Sequence, residues 1–173
     1  LKALERDGMI RIDEKENLRK SFNLNISKGY SIVLNDIQQQ TADGIWTRYK
    51  NGDTKPSLIH GITGSGKTEI YIDLIDRVVK EGRQAIVLIP EIALTYQTLM
   101  RFYTRFGDKV SIINSRMSPG ERFDQFERAK KGEISIIIGP RSALFTPFEN
   151  LGLIIIDEEH EPSYKSEVIP RYH

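Results

Sequence analysis

Eight consecutive residues constrain this chain more than any others: Gly61-Ile62-Thr63-Gly64-Ser65-Gly66-Lys67-Thr68. They fit G-x-x-x-x-G-K-[ST], a pattern in which glycines let backbone N–H groups close on phosphate oxygens. The chemistry needs a helix directly after the loop, because a helix N-terminus presents free N–H groups and a favourable dipole to an anion. It also needs a strand before it. Leu58-Ile59-His60 is predicted to be that strand, and residues 67–81 the helix, with Ile70, Leu74, Ile75 and Val78 at helical spacing. Lys67 is then placed to neutralise β/γ-phosphate charge and Thr68 to ligate Mg²⁺. The plainer reading is a tight glycine turn beside a surface lysine.

A phosphate loop of this kind needs a second, metal-side carboxylate at the end of another strand. The stretch "LIIIDEEH" offers one: Ile154–Ile156 reads as a buried strand and Asp157 emerges at its carboxyl end. Asp157 is expected to hold Mg²⁺, directly or through water. Glu158 is placed to activate the attacking water as general base. By itself this stretch reads as an acidic helix cap; beside the loop it reads as part of a hydrolytic site.

Strand and helix patterns alternate along the rest of the chain. Residues 36–50 predict a helix capped by Asn35 or Asp36, with Ile37, Ala42, Ile45 and Tyr49 inward. Strands are expected at 85–89, 110–114, 134–138 and 153–156, and helices at 92–106 and 118–131. Pro119 sits near the start of the last helix and Gly132 just past its end. The order predicts an α/β fold, a mostly parallel sheet with helices on both faces. Residues 1–13 read as the end of a helix, a turn at Gly8 and a short strand, and residues 14–33 as a linker.

Composition removes several classes. With 173 residues the chain can bury the core of one domain. It has no cysteine, which excludes disulfides and cysteine-ligated metal within it. Net charge is +1, so the whole chain is no electrostatic magnet for nucleic acid or membrane. No apolar run approaches the ~18 residues of a membrane span, and "LKALERDGMI" is not a signal peptide. The glycosylation pattern Asn25-Ile26-Ser27 reads as chance, and a cytoplasmic location is the default. The chain opens inside an amphipathic pattern without Met and stops at "PRYH", so it is expected to be part of something larger.

Asp157-Glu158-Glu159-His160, together with the phosphate loop, resembles the DEAH-type box of superfamily 2 helicases. "LNDIQ", "GITGSGKTEIY", "PEIALTYQ", "IIIGPRSALFTPFENLGLIIIDEEHEPSYK" and "PRYH" resemble more closely the PriA family of primosomal replication-restart helicases (primosomal protein N′). The resemblance covers residues 34–173 and implies a RecA-like first motor lobe there. "LKALERDGMIRI" is similar to the end of the winged-helix module before that lobe. The family implies an ATP- and Mg²⁺-dependent 3′→5′ DNA helicase of the bacterial cytoplasm and nucleoid. It implies forked or single-stranded DNA as substrate, and primosome and replication-restart proteins as partners. It also implies a second lobe with an arginine finger and a zinc module, for which this chain carries no zinc ligands. A first lobe alone is expected to bind nucleotide weakly and hydrolyse it poorly.

Residue by residue, the resemblance implies that Gln38 reads adenine, an edge that a side-chain amide can both donate to and accept from. It places the nucleotide on Gly61, Ile62, Thr63, Gly64, Ser65, Gly66, Lys67, Thr68 and Glu69. Lys67, Asp157 and Glu158 are the expected catalytic set, with Thr68 and Asp157 on the metal. Pro90–Gln97 and Gly139–Phe145 match segments lining a single-strand track, with Thr95, Gln97, Arg141 and Ser142 as DNA contacts. Capping and surface chemistry account equally well for these four. His160 is expected to couple nucleotide site and track, although a lone histidine is more often a satisfied buried one. Arg171 is expected near the site entry. The chain departs from the family at Tyr96, Asn114, Arg116 and Pro140.

One further feature supports a nucleic-acid partner. Between Arg101 and Lys131 there are eight basic and four acidic residues. Such an excess can track a phosphate backbone, and it equally describes solvated helix faces. Three other readings stay open: another double-strand DNA translocase, a small-molecule kinase with the same loop, and a non-catalytic module on an ATPase fold.

Overall fold

A computed structural model describes Arg6, residues 33–62 and residues 64–165. The expectations for residues 1–13, for the linker up to residue 32, for Thr63 and for Arg171 fall outside the described residues. The rest is an α/β fold whose sheet is built from β1 (Gln84–Leu88), β2 (Val110–Ile112), β3 (Ile136–Gly139) and β4 (Leu151–Ile156). All pairs are parallel, in the order β2-β3-β1-β4. The helices are α1 (Asp36–Lys50), α2 (Lys67–Lys80), α3 (Tyr96–Phe106) and α4 (Pro119–Lys130).

Side chains alternate across a strand, and β1 shows it. Ala85 and Val87 join one apolar cluster with Tyr71, Ile72 and Ile75 of α2 and Leu99 and Phe102 of α3. Ile86 and Leu88 join the cluster on the opposite face with Ala129 of α4, Ala143 and Tyr164. The sheet is therefore covered on both faces, as expected of parallel strands. On the far side of α2, Ala42 of α1 packs with Ile70 and Leu74.

The caps explain the boundaries. Asn35, not Asp36, caps α1: its side chain accepts from the Gln38 N–H while Gln38 reaches back to the Asn35 N–H. Ser118 and Glu121 form the same reciprocal pair at α4, with Pro119 in the first turn and Gly132 at φ 72° just beyond the end. The helix expected at 92–106 is broken. Glu91–Ala93 makes one 3₁₀ turn, then Thr95, in extended backbone, caps α3 by accepting from the Thr98 N–H.

Four further expectations need correction. Leu58–His60 forms no strand, since β4 ends the sheet among the described residues and the segment finds no ladder. Only Ile59 of the three packs inward, while Leu58 is exposed. Ile154–Ile156 is not a fully buried strand, because β4 is an edge among the described residues: Ile155 is buried, but Ile154 and Ile156 are 44% and 50% exposed. Ile37 points to solvent rather than inward. It lies five residues before Ala42, off the three-and-four spacing that makes one helix face. Finally, β2 stops at Ile112 and β3 starts at Ile136, so both are shorter than their apolar runs.

Candidate functional site

Parallel strands bring their carboxyl ends to one edge, and ligands of open α/β sheets sit outside that edge. Here Leu88 at the end of β1 is aligned with Gly139 of β3 and Ile156 of β4. The Asp157 N–H donates to the Leu88 carbonyl at 2.9 Å, which fixes Asp157 at the common edge.

The phosphate loop approaches the same place. Gly64 and Gly66 have φ of 82° and 85°, a left-handed backbone that only glycine adopts without strain. A Cβ on Gly66 would come within 2.1 Å of Gln38 Nε2, and one on Gly61 within 2.6 Å of Ser65 Oγ. Gly64 and Gly66 are thus needed for conformation, while a side chain at Gly61 or Gly66 would displace the end of Ser65 or Gln38. Gly66 leads directly into α2, whose first N–H groups open onto the loop. Lys67 Nζ donates to the carbonyls of Gly61 (2.7 Å) and Ile62 (3.1 Å), so the lysine curls over the loop.

Asp157 meets this loop through α2. Tyr71 Oη lies 3.5 Å from Asp157 Oδ1, across 86 positions of sequence. Burial and the adjacent Glu158 carboxylate raise the Asp157 pKa above its ordinary value of 3.8, against the lowering effect of the Glu158 N–H, Lys67 and Tyr71. Burial, then the Asp157 charge, pushes the Tyr71 hydroxyl up to about 12, so it stays a neutral donor. Glu158, the expected base, is half-exposed and carries φ 48°, an unusual backbone for a residue with a side chain.

The other predicted residues divide. Gln38 lies against the loop, its Nε2 3.4 Å from the Ser65 carbonyl, while its Oε1 accepts the Asn35 N–H. Glu69 pairs with Arg101 at 3.2 Å, joining α2 to α3. Thr95 spends its hydroxyl on the α3 cap and on Thr98. Gln97 is exposed, Ser142 is half-buried, and Arg141 Nη1 donates to the Tyr164 carbonyl at 3.3 Å. His160 is not buried; it is 73% exposed, 3.6 Å from Glu158 and 3.9 Å from Glu159. The basic excess of 101–131 is reduced by partners outside that window: Arg101 pairs with Glu69, Arg105 with Asp76 and Arg128 with Glu133.

A model of the family "Type III restriction enzyme, res subunit" matches residues 31–172. The chain belongs to that family. It thereby joins the helicases of superfamily 2, and the parallel sheet above agrees with their RecA-like lobe. Among curated proteins it is similar to replication restart protein PriA of Bacillus subtilis, 43% identical over 174 residues, all of this chain and 22% of the relative. The PriA proteins of Haemophilus influenzae and Synechocystis are 50% and 39% identical, covering 87% and 100% of the chain. The chain spans about a fifth of the length of these relatives.

ATP and Mg²⁺ are the cofactors that this helicase family implies in general, and the residues fit them. The glycine loop takes left-handed backbone at Gly64 and Gly66, Lys67 and the start of α2 supply positive potential, and Asp157 is a partly buried carboxylate beside Thr68's helix. No group of three or more His, Cys, Asp or Glu among the described residues could hold a metal. Thr68 and Asp157 would therefore share the ion with phosphate and water. No helix among the described residues is long and apolar enough to cross a membrane.

Two residues of the site escaped the sequence reading, Tyr71 and Tyr164. Tyr71 had a signal: it stands four residues after Lys67, on the same helix face. Tyr164 Oη donates to the Asp157 carbonyl at 2.7 Å, a contact that no spacing rule encodes.

The raised pKa of Asp157 gives a prediction about stability. A carboxyl with a raised folded-state pKa favours the fold when protonated. That contribution is lost as pH rises from 3.8 through the raised value. Above that window the ionised form is a cost. Asp157→Asn keeps an oxygen that can accept from Tyr71 and Glu158 but carries no charge. Without nucleotide or Mg²⁺, it is expected to melt higher than the parent at pH 7 by roughly 1–3 °C. The gap should close as pH falls through the raised value to below 3.8, as the parent's carboxyl takes up its proton. Thermal melts across that range decide it; a variant that melts lower throughout removes the cost argument.

Proposed function

We propose that the chain is the first motor lobe of a 3′→5′ DNA helicase that acts in replication restart, coupling ATP hydrolysis to movement along DNA. Residues 34–173 form the RecA-like lobe in this reading; residues 1–13 end a winged-helix module and 14–33 link the two. What carries the reading is the meeting of the α2 phosphate loop with Asp157 at the carboxyl edge, through Tyr71. The identity with PriA proteins supports the biological role. Bound Mg²⁺–ATP supplies a phosphoanhydride whose cleavage is strongly favourable. Lys67 neutralises charge on its outer phosphates, and Thr68 and Asp157 hold the ion. Glu158 takes a proton from the attacking water. Gln38 reads the adenine edge, and Gly61 to Glu69, Thr63 included, wrap the nucleotide. Thr95, Gln97, Arg141 and Ser142 contact the DNA backbone, since their segments follow the carboxyl ends of the neighbouring strands β1 and β3. His160 links the nucleotide and the DNA track. Forked or single-stranded DNA, primosome and restart proteins, and a bacterial cytoplasmic, nucleoid-associated location complete the proposal.

The test compares two proteins: this chain alone, and a protein of its relatives' length that carries it. The longer protein should release phosphate from ATP at a rate raised by single-stranded DNA, and should displace a strand from a fork with a 3′ overhang. The chain alone should separate no strands and respond little to DNA, because the transition-state charge lacks a second lobe's arginine. Robust DNA-stimulated turnover by the chain alone would refute the lobe assignment. Phosphate transfer to a metabolite would instead favour a kinase.

A further inference from the structure

Glu158 holds an unfavourable backbone, at φ 48°, and surrounding contacts must sustain it. The peptide between Asp157 and Glu158 is pinned at both ends. Its N–H donates to Asp157 Oδ1 at 3.2 Å, and its carbonyl accepts from Tyr164 Oη at 2.7 Å. The Glu161 N–H donates to the Glu158 carbonyl, and the Tyr164 N–H to the Glu161 carbonyl, so residues 157–164 close on themselves. Tyr164 is only 7% exposed, packed in the cluster with Ile86, Leu88 and Ala143. Tyr71 reaches Asp157 from the cluster on the other sheet face. Two phenols thus hold one aspartate from opposite sides, Tyr71 at the carboxylate and Tyr164 at the backbone. Burial and the nearby carboxylates keep the Tyr164 hydroxyl protonated and therefore a donor.

Tyr164 also has a second connection. Its own carbonyl accepts from Arg141 Nη1 at 3.3 Å, and Arg141 stands in the turn after β3. A guanidinium is well suited to a phosphate. An anion drawing Arg141 toward itself weakens that bond and shifts the segment on which Tyr164 sits. The left-handed backbone of Glu158 is a strained arrangement that these contacts hold, so a change in them would be felt at the Asp157–Glu158 peptide.

We infer that Tyr164 is a positioning residue, whose hydroxyl sets the Asp157–Glu158 peptide and whose carbonyl passes the state of Arg141 to it. The inference rests on the motor reading for its consequence in hydrolysis, but its structural half does not. Tyr164→Phe keeps the ring and removes only the donor. The experiment uses the longer protein, with two measurements. Amide exchange at residues 158–161 is followed with and without a single-stranded oligonucleotide, in the absence of nucleotide. ATP hydrolysis is followed with and without the same DNA.

In Tyr164→Phe, exchange at 158–161 should rise about tenfold, the effect of losing one hydrogen bond, while the rest of the cluster stays protected. The oligonucleotide should change exchange there in the parent and not in the variant. The DNA-stimulated kcat should fall about tenfold, with KM for ATP within about twofold, since a misplaced base affects the transition state rather than binding. Unchanged exchange at 158–161 overturns the inference. So does a loss of protection spread through the whole cluster with an unaltered kcat, because the ring would then be packing alone. If the parent hydrolyses no ATP, the motor reading fails, and the exchange measurement still decides the role of Tyr164.

Discussion

Replacing Glu158 with glutamine is expected to lower ATP hydrolysis by roughly 10²-fold or more, the scale of a lost general base, and to leave nucleotide and DNA binding nearly intact. The two side chains have the same shape, so the exposed end of Glu158 and its strained backbone should persist. What glutamine cannot do is take a proton from water. That interaction exists only in the transition state, and such interactions change the rate constant without changing ground-state affinity. Asp157→Ala is the contrasting variant. It removes the carboxylate proposed to face the metal, and with it the acceptor of the Tyr71 and Glu158 donors. Mg²⁺-dependent nucleotide affinity should therefore weaken together with turnover. Strand separation should vanish in both. Phosphate release with DNA, beside nucleotide binding, separates the two in a protein of the relatives' length. Near-normal hydrolysis by Glu158→Gln would remove Glu158 as base.

The contrast between these neighbours shows which parts of the site a sequence discloses. The shape of the glycine loop was legible because its constraint is local: φ is positive at Gly64 and Gly66, where glycine alone is unstrained. The parallel sheet was legible because runs such as Ile136–Ile138 are apolar on both faces, the usual pattern of a doubly covered strand. The same rule misled at Ile154–Ile156, where an equally apolar run lies at the edge of the sheet among the described residues. Whether a strand is central depends on the pairing order, and the pattern of one strand does not contain it. The basic excess of Arg101–Lys131 is smaller in space than in sequence for a related reason. Glu69 and Asp76, which neutralise Arg101 and Arg105, lie on a helix about 30 residues earlier. Tyr164 was invisible because its function depends on a bond to a backbone carbonyl, which leaves no mark on residue type. Local geometry writes itself into sequence; long-range pairing does so only through the residues it cannot do without.

Lys67→Ala is expected to abolish most of the thermal stabilisation that Mg²⁺–ATP or ADP confers on this chain. A ligand that binds only the folded state stabilises it by mass action, about 2.7 kcal/mol at a hundredfold excess over Kd. For a domain of this size that is roughly 5–10 °C in Tm, and less where binding is weak. Lys67 is the one side chain of the loop with a full positive charge, and it leads α2 into the glycine cradle. Removing it leaves the phosphates with backbone N–H groups and the helix dipole alone. The structure adds a second consequence. Lys67 Nζ holds the carbonyls of Gly61 and Ile62, so the alanine variant also frees the loop when no nucleotide is bound. Those bonds are at least partly exposed and worth about 1 kcal/mol each at most. The nucleotide-free variant should therefore melt only slightly below the parent. The two effects are read in one experiment: melts of parent and variant, each with and without millimolar Mg²⁺–nucleotide. A variant shift equal to the parent's would show that Lys67 does not face the phosphates. No shift in the parent would mean that the cradle on this chain does not take nucleotide.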